Sequence, residues 1–173
     1  MLSFQRFVWP PSGVVLTAPQ SLGALPVACP DERDACVPVA DGDALWIGLR
    51  IAESSRPVVL AIAAERSDGS TIDVLSGAMV GSAELSSDTV PPRQRIDGIA
   101  RSDGGFDVIG RASAQSGVTC TRLTIRTRSQ RAQAFGPVTR VDLVDYATFE
   151  RISGRKPPPP IDPNAGYKGY RLP

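Results

Sequence analysis

The chain contains no histidine, and of its nineteen basic residues only Lys156 and Lys168 are lysines. Without imidazole the commonest general base, the commonest metal ligand and the usual activator of a Ser or Cys nucleophile are all missing. No GxSxG elbow, GxGxxG turn or phosphate-binding P-loop stands in their place. No catalytic residue, cofactor-binding residue or metal ligand is therefore assigned, and the protein is expected not to be an enzyme. Chemistry with paired carboxylates or lysine is the one route that composition leaves open.

Long apolar runs are also lacking, since no stretch approaches the roughly eighteen residues a membrane-crossing helix needs. Cysteine is scarce, with only Cys29, Cys36 and Cys120. The spacing in CPDERDAC suits a local disulfide and is unlike a zinc knuckle. The odd count favours a reducing compartment without disulfides, and Cys120, inside a strand-like run, reads as a small buried hydrophobe.

Proline and glycine are plentiful, sixteen each in 173 residues, or about 18% against a usual share near 12%. That favours turns and short strands over long helices. ALWIGLRI (44–51) and PVVLAIAA (57–64) have strand length. Asp68-Gly69 predicts a hairpin joining strands at 57–65 and 70–76, with positive φ at both turn positions. QRIDGIA (94–100) and GFDVIGRA (105–112) pair similarly across Asp103-Gly104-Gly105. VTCTRLTIRTR (118–128) alternates most clearly, with Leu123 and Ile125 on one face and Arg122, Arg126 and Arg128 on the other. PVTRVDLVDY (137–146) follows, and ATFERIS adds a helical turn. The expected fold is all-β: an antiparallel β-sandwich or partly closed barrel spanning 29–153, with extended arms at 1–28 and 154–173.

In the N-terminal arm the strand-like run is GVVLT. Phe7 and Trp9 project to one side of an extended chain, either plugging the domain's own core or docking onto a neighbour. The segment superficially resembles a signal sequence ending at Cys29, but Pro10, Pro11, Ser12 and Gly13 interrupt its apolar stretch. In the C-terminal arm Pro157, Pro158, Pro159 and Pro160 make a stiff rod of roughly 12 Å at about 3.1 Å per residue. Tyr167, Tyr170 and Leu172 follow as apolar anchors. Such a segment gains order by folding back on its own domain or by lying on a neighbouring subunit.

Charge is divided along the chain: residues 1–90 carry eleven acids against five bases, and residues 91–173 carry seven against fourteen. Separated in space, these halves favour head-to-tail association into rings or filaments; interleaved, they cancel locally. Asp31, Glu32, Asp34, Asp41 and Asp43 crowd together without the spacing of a calcium loop. The arginine row Arg122, Arg126 and Arg128 suits an acidic protein surface better than nucleic acid, because no aromatic residue is interleaved for base stacking.

These features suggest a non-enzymatic component of a multi-subunit particle, with copies of itself or other subunits as partners. A tailed-phage-like virion component (capsid decoration, neck or tail), located in the virion or host cytoplasm, is the leading expectation. The alternative is an exported ligand-binding sandwich or lipoprotein of the bacterial periplasm or outer membrane, with Cys29 lipidated or bridged to Cys36.

Overall fold

The computed structural model describes residues 1–50, 56–81, 84–112 and 119–162. Their elements in chain order are β1 (Leu2–Val8), β2 (Val14–Val15), β3 (Ala24–Leu25), β4 (Asp34–Pro38), β5 (Asp43–Leu49), β6 (Val58–Arg66), β7 (Thr71–Asp73), β8 (Asp88–Val90), β9 (Arg95–Ile96), β10 (Ile99–Ala100), β11 (Phe106–Asp107), β12 (Ile109–Gly110), β13 (Cys120–Ser129), β14 (Val138–Val144) and the short helix α1 (Tyr146–Ser153). The fold is all-β, as the turn-rich composition and strand-length runs imply. Among the described residues no helix is long and apolar enough to cross a membrane.

The largest sheet runs β4-β14-β13-β6-β7, with β8 on the same edge of β6 as β7. Its pairings are antiparallel except β14 with β4, which is parallel. Alternation along β13 turns Leu123 and Ile125 inward, and register extends that order sideways. Leu123 pairs with Val141 on one side and Ala64 on the other, and these pair in turn with Ala35 and Ile72. The result is one apolar row across five strands, the cross-strand contact that stabilises sheets. A second sheet, β12-β5-β1-β3 with β9 also on β5, supplies Phe4, Leu45, Ile47 and Ile109 to the same buried cluster.

The N-terminal segment departs most from expectation. Instead of forming an arm, Leu2–Val8 is an interior strand, paired with β5 over its whole length and with β3 on its other side. Phe4 faces the main cluster, while Phe7 faces a smaller one with Trp9, Val15, Ala44 and Val108. A strand apolar on both faces loses the simple alternation by which strands are recognised. Phe7 is fully buried and Trp9 is 9% exposed, so both rings plug the chain's own core. The smaller cluster lies beside a third sheet, β10-β11-β2.

Asp34–Pro38, read from sequence as part of an acidic loop, is an edge strand with Ala35, Cys36 and Val37 buried. The segments 94–100 and 105–112 do not form one hairpin throughout. Their outer ends, β9 and β12, join β5, and only β10 and β11 pair with each other. All three cysteines are free thiols, and burial pushes the Cys120 thiol up to about 12.

Because Phe7 is core, Phe7→Ala is expected to cost about 3–5 kcal/mol, and Leu123→Ala about 2–5. Exposed Thr139→Ala should stay within about 0.5 kcal/mol. Urea unfolding midpoints read all three; an unchanged midpoint for Phe7→Ala would return that ring to a docking role.

Candidate functional site: a basic sheet face and a C-terminal strap

The outward row of β13 is Arg122, Thr124, Arg126 and Arg128, and its arginines have different surroundings. Arg122 donates from Nε to Asp142 Oδ1 at 2.5 Å and lies 3.7 Å from Glu65. Arg140, on the neighbouring strand, sits 3.5 Å from Asp34. Glu65 and Asp34 belong to the acidic half of the sequence, so here the two halves interleave and cancel. The hydrogen bond that Arg122 donates to Asp142 leads the effects that raise the Arg122 pKa above its ordinary value.

The other end of the row is not neutralised. Arg126 has no ion pair or side-chain hydrogen bond among the described residues. Arg128 donates to the Ala132 carbonyl at 2.7 Å, and its guanidinium stands 5.4 Å from the centre of the Phe135 ring, within cation–π range. Arg126, Arg128 and Phe135 line a groove of about 570 Å³ whose remaining lining includes Glu84 and Ser87. Just past the paired positions Val58 and Ser129, Arg56 and Arg131 line a smaller recess of about 210 Å³. Phe135 is the aromatic partner that a scan along β13 could not find, because the loop after the strand brings it back.

The crowded acids disperse. Asp31 accepts the backbone N–H groups of Arg33 and Asp34, Asp41 pairs with Arg111, and Asp43 is buried in a different network. Among the described residues no three potential metal ligands gather.

That network holds the proline-rich segment. Arg6, only 7% exposed, donates from Nη1 to the Tyr146 hydroxyl at 3.2 Å and to the Pro159 carbonyl at 2.8 Å. The Tyr146 hydroxyl donates in turn to Asp43 Oδ2 at 3.3 Å. Arg155 reaches the Val27 carbonyl at 3.5 Å. The helix that delivers Tyr146 is capped by Asp145, which accepts Thr148 N–H at 2.7 Å, and ends at Gly154 in the left-handed region. Pro157 and Pro158 are half-buried, and Pro159 and Pro160 exposed. Through Asp162 the C-terminal segment is thus a strap tied to its own domain at two points. Tyr167, Tyr170 and Leu172 lie outside the described residues.

Burial raises the Asp43 pKa above the ordinary carboxylate value, opposed by the Tyr146 hydrogen bond and the Arg6 charge. Comparison with protein-family models, curated proteins and solved structures finds no match for this chain.

Two predictions follow from the strap. A carboxyl group whose folded pKa is raised gives stability that is complete below its unfolded pKa and lost as pH rises through the folded one. Relative to Asp43→Asn, the wild-type protein should therefore lose stability as pH climbs from about 3 toward 7; calorimetry across pH checks the sign. Arg6→Met should release Pro159 and accelerate tryptic cleavage after Arg155, and an unchanged cleavage rate would show that the strap is held elsewhere.

Proposed function

We propose that the protein is a non-enzymatic assembly subunit that docks an acidic surface of a neighbouring subunit into the groove formed by Arg126, Arg128 and Phe135. The observation that carries this reading is the unequal treatment of one arginine row: Arg122 is ion-paired to carboxylates, while Arg126 and Arg128 flank an open groove, lined also by Glu84, without an ion pair among the described residues. Arginine suits such a face because its planar fork meets carboxylates bidentately and stacks on aromatic rings. Association draws orientation and rate from this complementarity more than from raw affinity.

A tailed-phage-like particle, at a capsid-decoration, neck or tail position, is the specific setting we propose. Its support is the small β domain and the proline-rich strap, which Tyr167, Tyr170 and Leu172 follow in the sequence. Phe7 and Trp9 have no part in docking, being core. A protein partner is favoured over nucleic acid because Phe135 is already covered by Arg128 and offers no free face for a base on that side.

Light scattering during size-exclusion chromatography tests the proposal. Concentrated wild-type protein should associate at low ionic strength, and salt should weaken the association. The double variant Arg126→Glu/Arg128→Glu should weaken it by at least about tenfold, which is ~1.4 kcal/mol, with its melting temperature retained. Monomers of equal mass for wild type and double variant at every concentration and salt would overturn self-association. Tight retention of a nucleic acid instead would redirect the reading.

A further inference from the structure

The sequence holds the same turn twice, Arg66-Ser67-Asp68-Gly69-Ser70 and Arg101-Ser102-Asp103-Gly104-Gly105, and the two fold alike. In each, the arginine N–H donates to the carbonyl four residues on, at 2.8 Å for Arg66 and 3.0 Å for Arg101. The glycine N–H donates back to the arginine carbonyl, at 3.0 and 3.2 Å. The aspartate side chain accepts the N–H two residues later, at 2.9 and 3.0 Å. Gly69 and Gly104 take φ of 83° and 84°, while no non-glycine residue among those described has positive φ. Each turn therefore has one left-handed position instead of the two expected from Asp-Gly, the pattern of a three-residue hairpin loop with a glycine bulge.

The twin turns aim their arginines at one carboxylate. Arg66 Nη2 lies 3.3 Å from Asp107 Oδ2, and Arg101 Nη1 lies 2.9 Å from Asp107 Oδ1. Arg101 is also held by Asp103, to which it donates from both Nε and Nη2. Its fork is occupied. Arg66 is not so placed: its side chain is 19% exposed, it uses Nη2 alone, and its Nε and Nη1 have no partner among the described residues and are not sealed from solvent.

Beside Arg66 opens a cavity of about 240 Å³, with Trp9, Val14, Ile99 and Val108 among its walls. That is below the roughly 300–1,000 Å³ of drug-sized pockets, so a molecule built on one ring suits it. Cys120 also lines it, but its raised pKa keeps the thiol protonated and unreactive toward electrophiles. Ser12, Arg101 and Asp107 complete its polar lining, so the cavity combines apolar walls for a hydrocarbon body with a guanidinium, only partly engaged by Asp107, for a planar oxyanion.

We propose that this cavity binds a small organic carboxylate with an apolar body, its carboxylate on Arg66 and its body against Trp9, Val14, Ile99 and Val108. The carboxylate belongs either to a free acid or to a peptide C-terminus. This site is independent of the docking groove, and neither proposal depends on the other.

Trp9 reports on the cavity directly, and Trp46→Phe removes the other tryptophan. Phenylacetate titrated into that variant should change the Trp9 fluorescence saturably below about 10 mM. The neutral isostere 2-phenylethanol should not. Arg66→Gln should weaken phenylacetate at least tenfold, and Arg66→Lys should recover part of the loss. A short peptide ending in Phe with a free carboxyl, set against its amide, tells the two sources of carboxylate apart. An equal response to acid and alcohol, or no response to either acid or free-carboxyl peptide, overturns the proposal; both comparisons use a protein with Arg66 intact, so they decide even where Arg66→Gln does not fold.

Discussion

The seven-pair antiparallel ladder between β1 and β5 is the constraint on which the rest of the molecule rests. It runs from Leu2 opposite Leu49 to Val8 opposite Asp43, and it is packed on both sides. Phe4, Leu45, Ile47 and Leu49 face the main cluster, and Phe7 and Ala44 the smaller one. A one-residue slip of β1 against β5 would exchange the faces of β1, setting Phe7 against the large sheet and Phe4 against the smaller cluster while β5 kept its own. Both clusters therefore enforce one register, and the remaining pairings of this sheet, with β3, β9 and β12, are laid off from it. The free edge of β5 takes β12 and then β9 in succession, which fixes where the segment holding the second twin turn crosses between sheets.

The same ladder decides where the proline-rich strap ends up. Arg6 and Asp43 lie on the inward side at one end of the ladder, where α1 supplies Tyr146 as the group between them. A run of prolines has carbonyl acceptors and no N–H donors, so it cannot add itself to a sheet edge as an ordinary strand does. It has to be held by donors reaching out from elsewhere. Arg6 and Arg155 play that part, one toward Pro159 and the other from within the strap toward Val27. A buried guanidinium carries a desolvation cost that only several good partners offset. The Pro159 carbonyl is the shortest of the Arg6 side-chain bonds, so strap and charge stabilise each other.

What could be read from the sequence follows from whether a segment has one wet face. β13 and β14 do: their alternation placed Leu123, Ile125, Val141 and Leu143 inward and the arginines outward, as found. β6 was legible from its length and branched residues, and the turn at Asp68-Gly69 from its chemistry. β1 was not, because Phe4 and Phe7 serve different cores, and the single polar residue on its inner side, Arg6, looks out of place until Tyr146 and Pro159 arrive from 140 residues and more away. β4 was hidden by the acids that precede it. Within the groove, Arg126 and Arg128 were visible as a row, whereas Phe135 and the neutralisation of Arg122 depend on tertiary contacts. The repeat of RSDG was in plain view, but its meaning, two arginines on one aspartate, needed the fold.

The preference for arginine over lysine gains a physical reading from these contacts. Arg6 serves two acceptors from one nitrogen in a buried site, Arg101 grips Asp103 with two nitrogens while a third reaches Asp107, and Arg128 combines a carbonyl contact with an aromatic face. An ammonium group can serve two acceptors from its one nitrogen, but it cannot grip a carboxylate with two nitrogens while a third reaches another, nor lay a planar face on a ring. Exposed pairs such as Arg101 with Asp103 contribute little to stability, so their value lies in orientation. Carboxylates are paired with Arg101, Arg111, Arg122 and Arg140 of the second half, and with Arg66 of the first, so part of the basic half's charge is cancelled locally. Along β13 the cancellation is uneven: Arg122 is matched to Asp142 and Glu65, whereas Arg126 and Arg128 have no ion pair among the described residues. Such a difference between the two ends of one strand is the kind of asymmetry that orients an approaching charged surface.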